Sequence, residues 1–580
     1  MSTPAETARQ EPVRPLELLI VQLGSLSEVL RSLMALKAVK QLYPAIRVRM
    51  LVGPEGIEPV SRIEWIEEVL TLPRGITREN AIQSVASWLG SVVERKFDIL
   101  ANWTGNGKAS KMAAIASTLI PAIVKLGDHL REDSSQGSYD AWSMYRHAWS
   151  QGGVEQDIHE TDLVTTQLLT ALQIHAGEPS QDAGSQQVTS RYFFKAVSLD
   201  MPENWTQRPK GLKWIAISAS SAPARMSEWM ERVLRRNPDY GMVVVGPGEI
   251  RDLPDSPRVV TLTGTIGWDA ILNVFSHCSW LCAGSDSLVD LASLVNLRVF
   301  CSTGPEAREF GLKWAETGPY GNGHVILASS KEWDPEAAYA VWSYYQSEWF
   351  HKNSLTLQGH FDHLGCNRQL DSIQVYKSRI RPSNEGGGVC YEQTAGVVRE
   401  FEAWIYRVRG QMARAWFCGW LPALDEEAGK LTLSPTLIKR IRGLQESVQV
   451  VAQVVGGACV TARELESLAS RNRVGHLMSV EDREAIETCG KKLLEMESLI
   501  GRVTRVEPEL ECLLKWYRQR IHNLESQSLS GMAKETLQAL DLMIEGMDLL
   551  NAWTSKTLEL ARPRSVDTNR TNGRGQGLTN

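Results

Sequence analysis

Residues Leu18–Leu36 read LLIVQLGSLSEVLRSLMAL. Leu18–Val21 is a short apolar run of strand length, and Gly24-Ser25 breaks it. A helix is expected next, with Val29, Leu30, Leu33, Leu36 and Val39 on one face and Pro44 ending it. A strand, a Gly-Ser turn and an amphipathic helix are the opening of a βαβ unit. Such a turn presents backbone N–H groups and a helix N-terminus to a ligand at the carboxyl edge of a parallel sheet.

The same alternation continues outward. Strands are expected at Arg47–Val52, Ile66–Leu72 and Phe97–Ala101, and helical character at Met112–Ile123. Residues 176–192 are small and polar and read as a linker or surface loop. The pattern then restarts, with strands at Trp214–Ser218, Met242–Val245, Val259–Leu262, Trp280–Ala283 and Arg298–Cys301. Helices are expected between them at Glu228–Arg236, Trp268–Phe275 and Leu288–Leu294. Two doubly wound α/β halves with a cleft between them fit this order. Tyr376–Arg379 and Glu385–Val389 read as a strand and a flexible turn that close the α/β part.

From about Gly396 strand-like runs stop, and helices are expected at Val397–Trp420, Pro435–Val455, Ala462–Ser470, Val480–Val506, Pro508–Ser526 and Gly531–Leu560. The resulting division is a disordered leader over 1–15, α/β halves over 16–190 and 191–395, an all-α domain over 396–562 and a disordered tail over 563–580. Trp404, Trp416, Trp420, Trp516 and Trp553 fall at apolar helical positions and read as core. Cys459, Cys489 and Cys512 read as buried thiols.

Composition narrows the class. A net charge of −6 gives no basic surface for nucleic acid. Nine Cys without a CxxC pair suit a reduced, cytoplasmic chain. The first fifteen residues lack the apolar core of a secretory signal, and no apolar run reaches the length of a membrane span. His360, His363 and Cys366 have metal-like spacing, but without a paired Cys motif the expectation is no metal.

Two stretches add chemistry. Met242–Glu249, MVVVGPGE, ends a strand in a glycine loop; Gly284–Ser293, GSDSLVDLAS, joins a strand to a helix. With Ser27-Glu28, Tyr43-Pro44 and the later ETGPYGNGH (Glu316–His324), these resemble the heptosyltransferases, glycosyltransferase family nine. The resemblance covers about residues 16–330, extends toward 390, and implies a GT-B fold of two Rossmann-like domains, with the all-α region added behind it.

The resemblance implies site residues by position. Glu28 stands where the family has an Asp taken as the base that activates the acceptor hydroxyl; the bland alternative is a solvent-facing Glu favoured by the helix dipole. Arg225 stands near a family Lys and would hold the donor diphosphate, or else is simply an exposed Arg. Gly24 and Ser25, Ser220, the loop Gly246, Gly248 and Glu249, and Ser285, Asp286, Ser287 and Asp290 would line the donor site. Two of these depart from the pattern: Ser285 replaces an Asp and Asp290 a His. An Asp facing phosphate would cost on the order of 1–4 kcal/mol in repulsion. Ser285 as a plain helix cap is the alternative there. His159-x-x-Asp162 is similar to the family's helix joining the halves, or is structural.

The leading functional expectation is a cytoplasmic glycosyltransferase, peripheral at the inner membrane, that needs no cofactor. It would move heptose from ADP-heptose or another nucleotide sugar to a lipopolysaccharide core or related glycan. The competing expectation is a catalytically degenerate GT-B scaffold whose helical domain binds a protein partner. A nucleotide-sugar epimerase of the same two-domain fold is a third.

Overall fold

The computed structural model describes residues 15–72, 81–92, 96–105, 109–130, 136–138, 140–150, 158–176, 202–264, 266–284, 286–303, 317–329, 333–347, 356–364, 373–380, 389–396, 432–433, 435–471, 479–507, 510–524, 526, 528–560 and 562–563. The chain divides into two compact units. One holds residues 1–147 and 157–398; the other holds 148–156 and 399–580.

The α/β unit contains two sheets. In chain order the first half is β1 (Glu17–Gln22), α1 (Leu26–Leu42), β2 (Arg47–Val52), α2 (Ile57–Ser61), β3 (Ile66–Thr71), α3 (Ala81–Val92), β4 (Phe97–Asn102), α4 (Ser110–Leu119), β5 (Ala122–Leu130), β6 (Gln136–Ser138), α5 (Ala141–Ser150) and α6 (Glu160–Ala176). Its strands lie in the order β3-β2-β1-β4-β5-β6, parallel except at the β5–β6 edge. Leu18 pairs with Val48 on one side and Ile99 on the other, so β1 is central. That placement explains its continuous apolar run, since a strand covered on both faces has no solvent face to make polar.

The second half follows as α7 (Glu203–Thr206), β7 (Lys213–Ser218), α8 (Met226–Arg236), β8 (Tyr240–Gly246), β9 (Val259–Thr263), α9 (Trp268–His277), β10 (Cys278–Ala283), α10 (Ser287–Leu294), β11 (Arg298–Thr303), β12 (Val325–Ser329), α11 (Pro335–Gln346), α12 (Leu357–Leu364), β13 (Ile373–Ile380) and β14 (Val389–Gly396). Its sheet runs β9-β8-β7-β10-β11-β12-β13-β14, with the last two strands antiparallel. Trp229 centres the core beneath it, stacked on Phe300 at 6.2 Å and edge-on to Trp342 at 5.9 Å.

Both halves share one topology: the first strand lies between the second and the fourth. The winding direction therefore reverses between β1 and β4, and again between β7 and β10. A crevice opens at each reversal, at the carboxyl ends of the strands. This is the doubly wound architecture of the GT-B class, followed by helices.

Three sequence readings are corrected here. The helix expected to run to Ile123 stops at Leu119; Pro121 follows, and the run from Ala122 forms β5 instead. The turn expected at Glu385–Val389 has ended by Val389, where β14 begins, paired through Ile380↔Val389; residues 385–388 lie outside the described residues. The helices expected at Pro435–Val455 and Ala462–Ser470 are one, α13 (Pro435–Arg471), which carries Gly456-Gly457 through its interior. Residues 177–201 and 397–431, with the expected linker and the Val397–Trp420 helix, lie outside the described residues.

The second unit is built from α13, α14 (Val480–Val506), α15 (Glu511–His522) and α16 (Leu529–Leu560). Helix α13 packs on α16 and α14, and α15 on α14 and α16. Trp516, Cys459 and Cys489 are buried there and Trp553 is half-buried. A short parallel pairing, Thr432↔Arg562, joins the start of the helical run to its end.

Candidate active-site cleft

The crevice of the first half is closed by hydrogen bonds between the β1 and β4 loops. Gln22 donates to the carbonyl of Trp103 at 2.9 Å, and the Leu23 N–H donates to Thr104 Oγ1 at 3.0 Å. Ser25 caps α1 and forms a capping box with Glu28. Glu28 Oε2 accepts from the Ser25 N–H at 2.8 Å and from the Ser25 hydroxyl at 2.9 Å; Oε1 accepts from the Gly105 N–H at 3.0 Å. A glycine on each side leaves this carboxylate its room. A Cβ on Gly24 would come within 2.3 Å of Oε2, and one on Gly105 within 2.1 Å of Oε1. Glu28 is thus half-buried and aimed across the crevice, not into solvent as its bland reading had it.

The second half repeats the device with an aspartate. Asp286 caps α10, its Oδ1 accepting from the Leu288 N–H at 2.9 Å. Its Oδ2 accepts the hydroxyls of Ser218, the last residue of β7, and of Ser220 and Ser221 in the loop that follows, at 2.5, 3.0 and 2.6 Å. The Gly284 N–H donates to the carbonyl of Ser221 at 3.1 Å. The cap is therefore Asp286, and Ser285 lies outside the described residues. Ser287 opens the helix. Beside this, Gly246 and Gly248 adopt φ of 97° and 113°, conformations that favour glycine. Gly246 is buried, while Gly248 and Glu249 are exposed on the loop. A side chain at Gly248 would also meet the Ala219 carbonyl at 3.2 Å.

Arg225 sits in the left-handed region, φ 64°, immediately before α8. Its guanidinium makes a two-bond fork with Glu228, at 2.6 and 2.8 Å, on the surface. The fork holds the Glu228 carboxyl below the usual carboxylate range.

The halves meet between α1 and α10. Arg31, on α1, bonds Glu160 of α6 and reaches Asp290 of α10 at 3.2 Å. Arg146 of α5 also binds Glu160, at 3.0 Å. Ser27 faces Asp290 as well, which sets the Glu28 turn against the first turn of α10. Burial alone would depress the Arg31 pKa; the two carboxylates more than reverse that and hold it charged. Burial opposes ionisation of Glu160, but Arg31 and Arg146 prevail and hold its carboxyl below the ordinary value. Asp290 keeps the opposite balance: burial outweighs Arg31, and its pKa is pushed up to about 6.

Further pairs join the halves. His159 is fully buried; its Nδ1 accepts from the Thr161 N–H, so Nε2 donates to the Gly318 carbonyl at 2.9 Å. Asp162 accepts the Tyr320 hydroxyl and the Val389 N–H, both at 2.7 Å. His324 is a staple: its Nδ1 accepts from the Val299 N–H, and its Nε2 contacts the Tyr320 carbonyl. The HETD and GPYGNGH segments are thus two sides of one joint. Arg62 and Asp269 add an ion pair at 2.8 Å.

The structure therefore gathers Gly24, Ser25 and Glu28 on one side of the joint. On the other it gathers Ser220, Gly246, Gly248, Asp286 and Asp290. Sequence reasoning missed Arg31, Glu160 and Arg146. The one available signal was an Arg on the side of α1 opposite its five apolar positions, in a helix where Met34 and Ala35 are also apolar. His360 is buried with Nε2 at 2.9 Å from the Ser343 hydroxyl; the side chains of His363 and Cys366 lie outside the described residues. No group of three metal-ligating side chains is found among the described residues.

The chain is similar in structure to several solved proteins. The glycosyltransferase family nine protein of Veillonella parvula DSM 2008 is 14% identical, over 54% of this chain and 86% of that one, at a TM-score of 0.39. The E. coli heptosyltransferase WaaC with ADP is 14% identical, over 57% and 99%, at 0.39. A UDP-GlcNAc 2-epimerase of Neisseria meningitidis, bound to UDP-GlcNAc, is 12% identical, over 60% and 99%, at 0.33. Scores this low leave the fold assignment to the strand order itself. No protein-family model and no curated protein sequence matches.

Proposed function

We propose that the α/β unit is a glycosyltransferase similar to the heptosyltransferases. It would move a sugar, heptose by resemblance, from a nucleotide-sugar donor to a hydroxyl of a lipopolysaccharide core or related glycan. The work would be done in the cytoplasm, with peripheral contact to the inner membrane, and no cofactor is called for. Among the described residues, no helix is long and apolar enough to cross a membrane.

The observation that carries this reading is the state of Glu28. A carboxylate has about four acceptor positions. Ser25 and Gly105 fill three, which orients the group and leaves one position on Oε1 for an acceptor hydroxyl. In the proposed step Glu28 takes the hydroxyl proton. The oxygen attacks the anomeric carbon, and the bond from that carbon to the nucleoside diphosphate breaks, its electron pair leaving with the diphosphate. The loop at Gly246 and Gly248 would admit the nucleotide. The repulsion expected from Asp290 is offset, because its carboxylate is turned to Arg31. Arg225 could serve the leaving group only after releasing Glu228, and an exposed pair of that kind is weak.

Calorimetric titration of the full chain with ADP, UDP and GDP tests this. Saturable binding of one nucleotide is expected and names the donor class; binding of none would remove the transferase reading. One observation favours a second reading, that of a scaffold whose helical unit engages a protein partner: Glu28 and Asp286 both bridge their crevices as structural acceptors.

A further inference from the structure

The joint between α1 and α10 places two carboxylates around one guanidinium. Glu160 is the better neutralised, since it holds Arg31 closely and has Arg146 at 3.0 Å as a second cation. Asp290 comes from the other half, is 3% exposed, and has Arg31 at 3.2 Å with Ser27 facing it. Two carboxylates that share a cation cannot both be ionised at low cost, and the less well held one gives way.

The other groups facing Asp290 are fixed. On α1, Arg31 stays charged. Before α6, burial and then Arg31 push His159 down to about 3, so it stays neutral. On α6, Glu160 is held ionised by Arg31 and by Arg146 of α5. On β11, burial first, then Asp286 and Asp290, push the Cys301 thiol up to about 12. Among these, Asp290 is the group whose charge changes between pH of about 4 and 8.

We propose that this joint is a proton-linked clasp, in which Asp290 takes up a proton as α10 closes on α1 and seats the Glu28 turn against the second half. The inference stands on the packing of the halves and is independent of the transferase reading. The sign follows from linkage. Burial raises the Asp290 carboxyl from 3.8 to about 6 in the closed joint, so protonation favours the closed form. That contribution is complete below about pH 4 and is lost as pH rises through about 6. A shift of this size bounds the change in the opening equilibrium at about a hundredfold.

Hydrogen exchange of the full chain, at pH 5 and pH 8 and corrected for the intrinsic rate, reads this directly. Amides of α1 and α10 should open about tenfold or more less often at pH 5. Amides of the distant core strand β8 serve as the control and should not share the change. Asp290→Asn, which mimics the protonated acid, should match the acid-state protection at both pH values. Equal protection at the two pH values, greater opening in acid, or an Asn variant less protected than wild type at pH 8 would each overturn the proposal. The wild-type comparison decides it even if the variant does not fold.

Discussion

Glu28 does two things with one carboxylate: it closes the capping box of α1 and fastens the β4 loop at Gly105. Replacement by Gln keeps the shape and removes proton acceptance. Under the transferase reading, Glu28→Gln should lower turnover by about 10²–10⁴-fold and leave nucleotide affinity unchanged. Steady-state kinetics with a titration of the same variant checks both, and full turnover would take Glu28 out of the chemistry. Gly105→Ala probes the same point from the other side. Its Cβ would reach Oε1, at the far end of a flexible side chain, so the carboxylate moves while the backbone holds. A loss of turnover is expected with a stability change within about 1 kcal/mol, read by denaturant titration. Asp290 is a different case. A His there brings a larger ring, and a second cation when protonated, into a packed, buried position beside Arg31. Asp290→His should therefore cost about 1–3 kcal/mol of stability, read as a lower melting temperature, with nucleotide affinity unimproved. The position of Glu28 at the crevice could be read from the Gly-Ser turn. The partner of Asp290 could not, since Arg31 lies 259 residues away in the chain.

At the scale of the element, each half bridges its own point of strand reversal with a side-chain carboxylate, Glu28 on α1 and Asp286 on α10. Asp286→Ala removes a helix cap and strands three hydroxyls at once. A loss of about 1–3 kcal/mol is expected, measured by denaturant unfolding, and unchanged stability would mean that water replaces the carboxylate at no cost. The central strands were legible because strands covered on both faces are unbroken apolar runs, as in Leu18–Val21 and Met242–Val245. Later elements were less so. Strand β5 follows directly on α4, and its run AIVKLGDHL mixes charge with apolar residues at a sheet position near the edge. Strand β13 was legible in part, at Tyr376–Arg379, whereas β14 lies at the edge of its sheet and was not. A Gly pair such as Gly456-Gly457 would ordinarily suggest a break in α13. The helix instead continues, with the residues around the pair, Val455 and Ala458, buried against its neighbours.

For the whole molecule, the chain divides into two units between Val398 and Arg399. Parallel strands and long helices leave different periodicities in a sequence, which is why a change of character is expected near Gly396. The helical unit spans some 180 residues, enough chain for a core of its own. Leu444, Val448, Val451 and Val455 supply one buried stripe along α13, and Leu540, Met543, Met547 and Leu550 supply another along α16. The α/β unit has separate cores under its two sheets, centred on Leu19 and Leu100 and on Trp229 and Phe300. The two α/β halves are tied together by the α1–α10 joint, so the two units predict two unfolding events. Scanning calorimetry of the full chain should resolve two transitions, and a chain ending at Val398 should retain one of them at an unchanged melting temperature. The shortened chain should also bind the same nucleotide with the same affinity, because Glu28, Gly246, Gly248 and Asp286 all lie in the unit it keeps. A single transition for the full chain, or a shortened chain that melts many degrees lower, would show that the helices complete the core of the α/β unit. Undisturbed folding with lost nucleotide binding would instead place part of the binding surface in the helical unit.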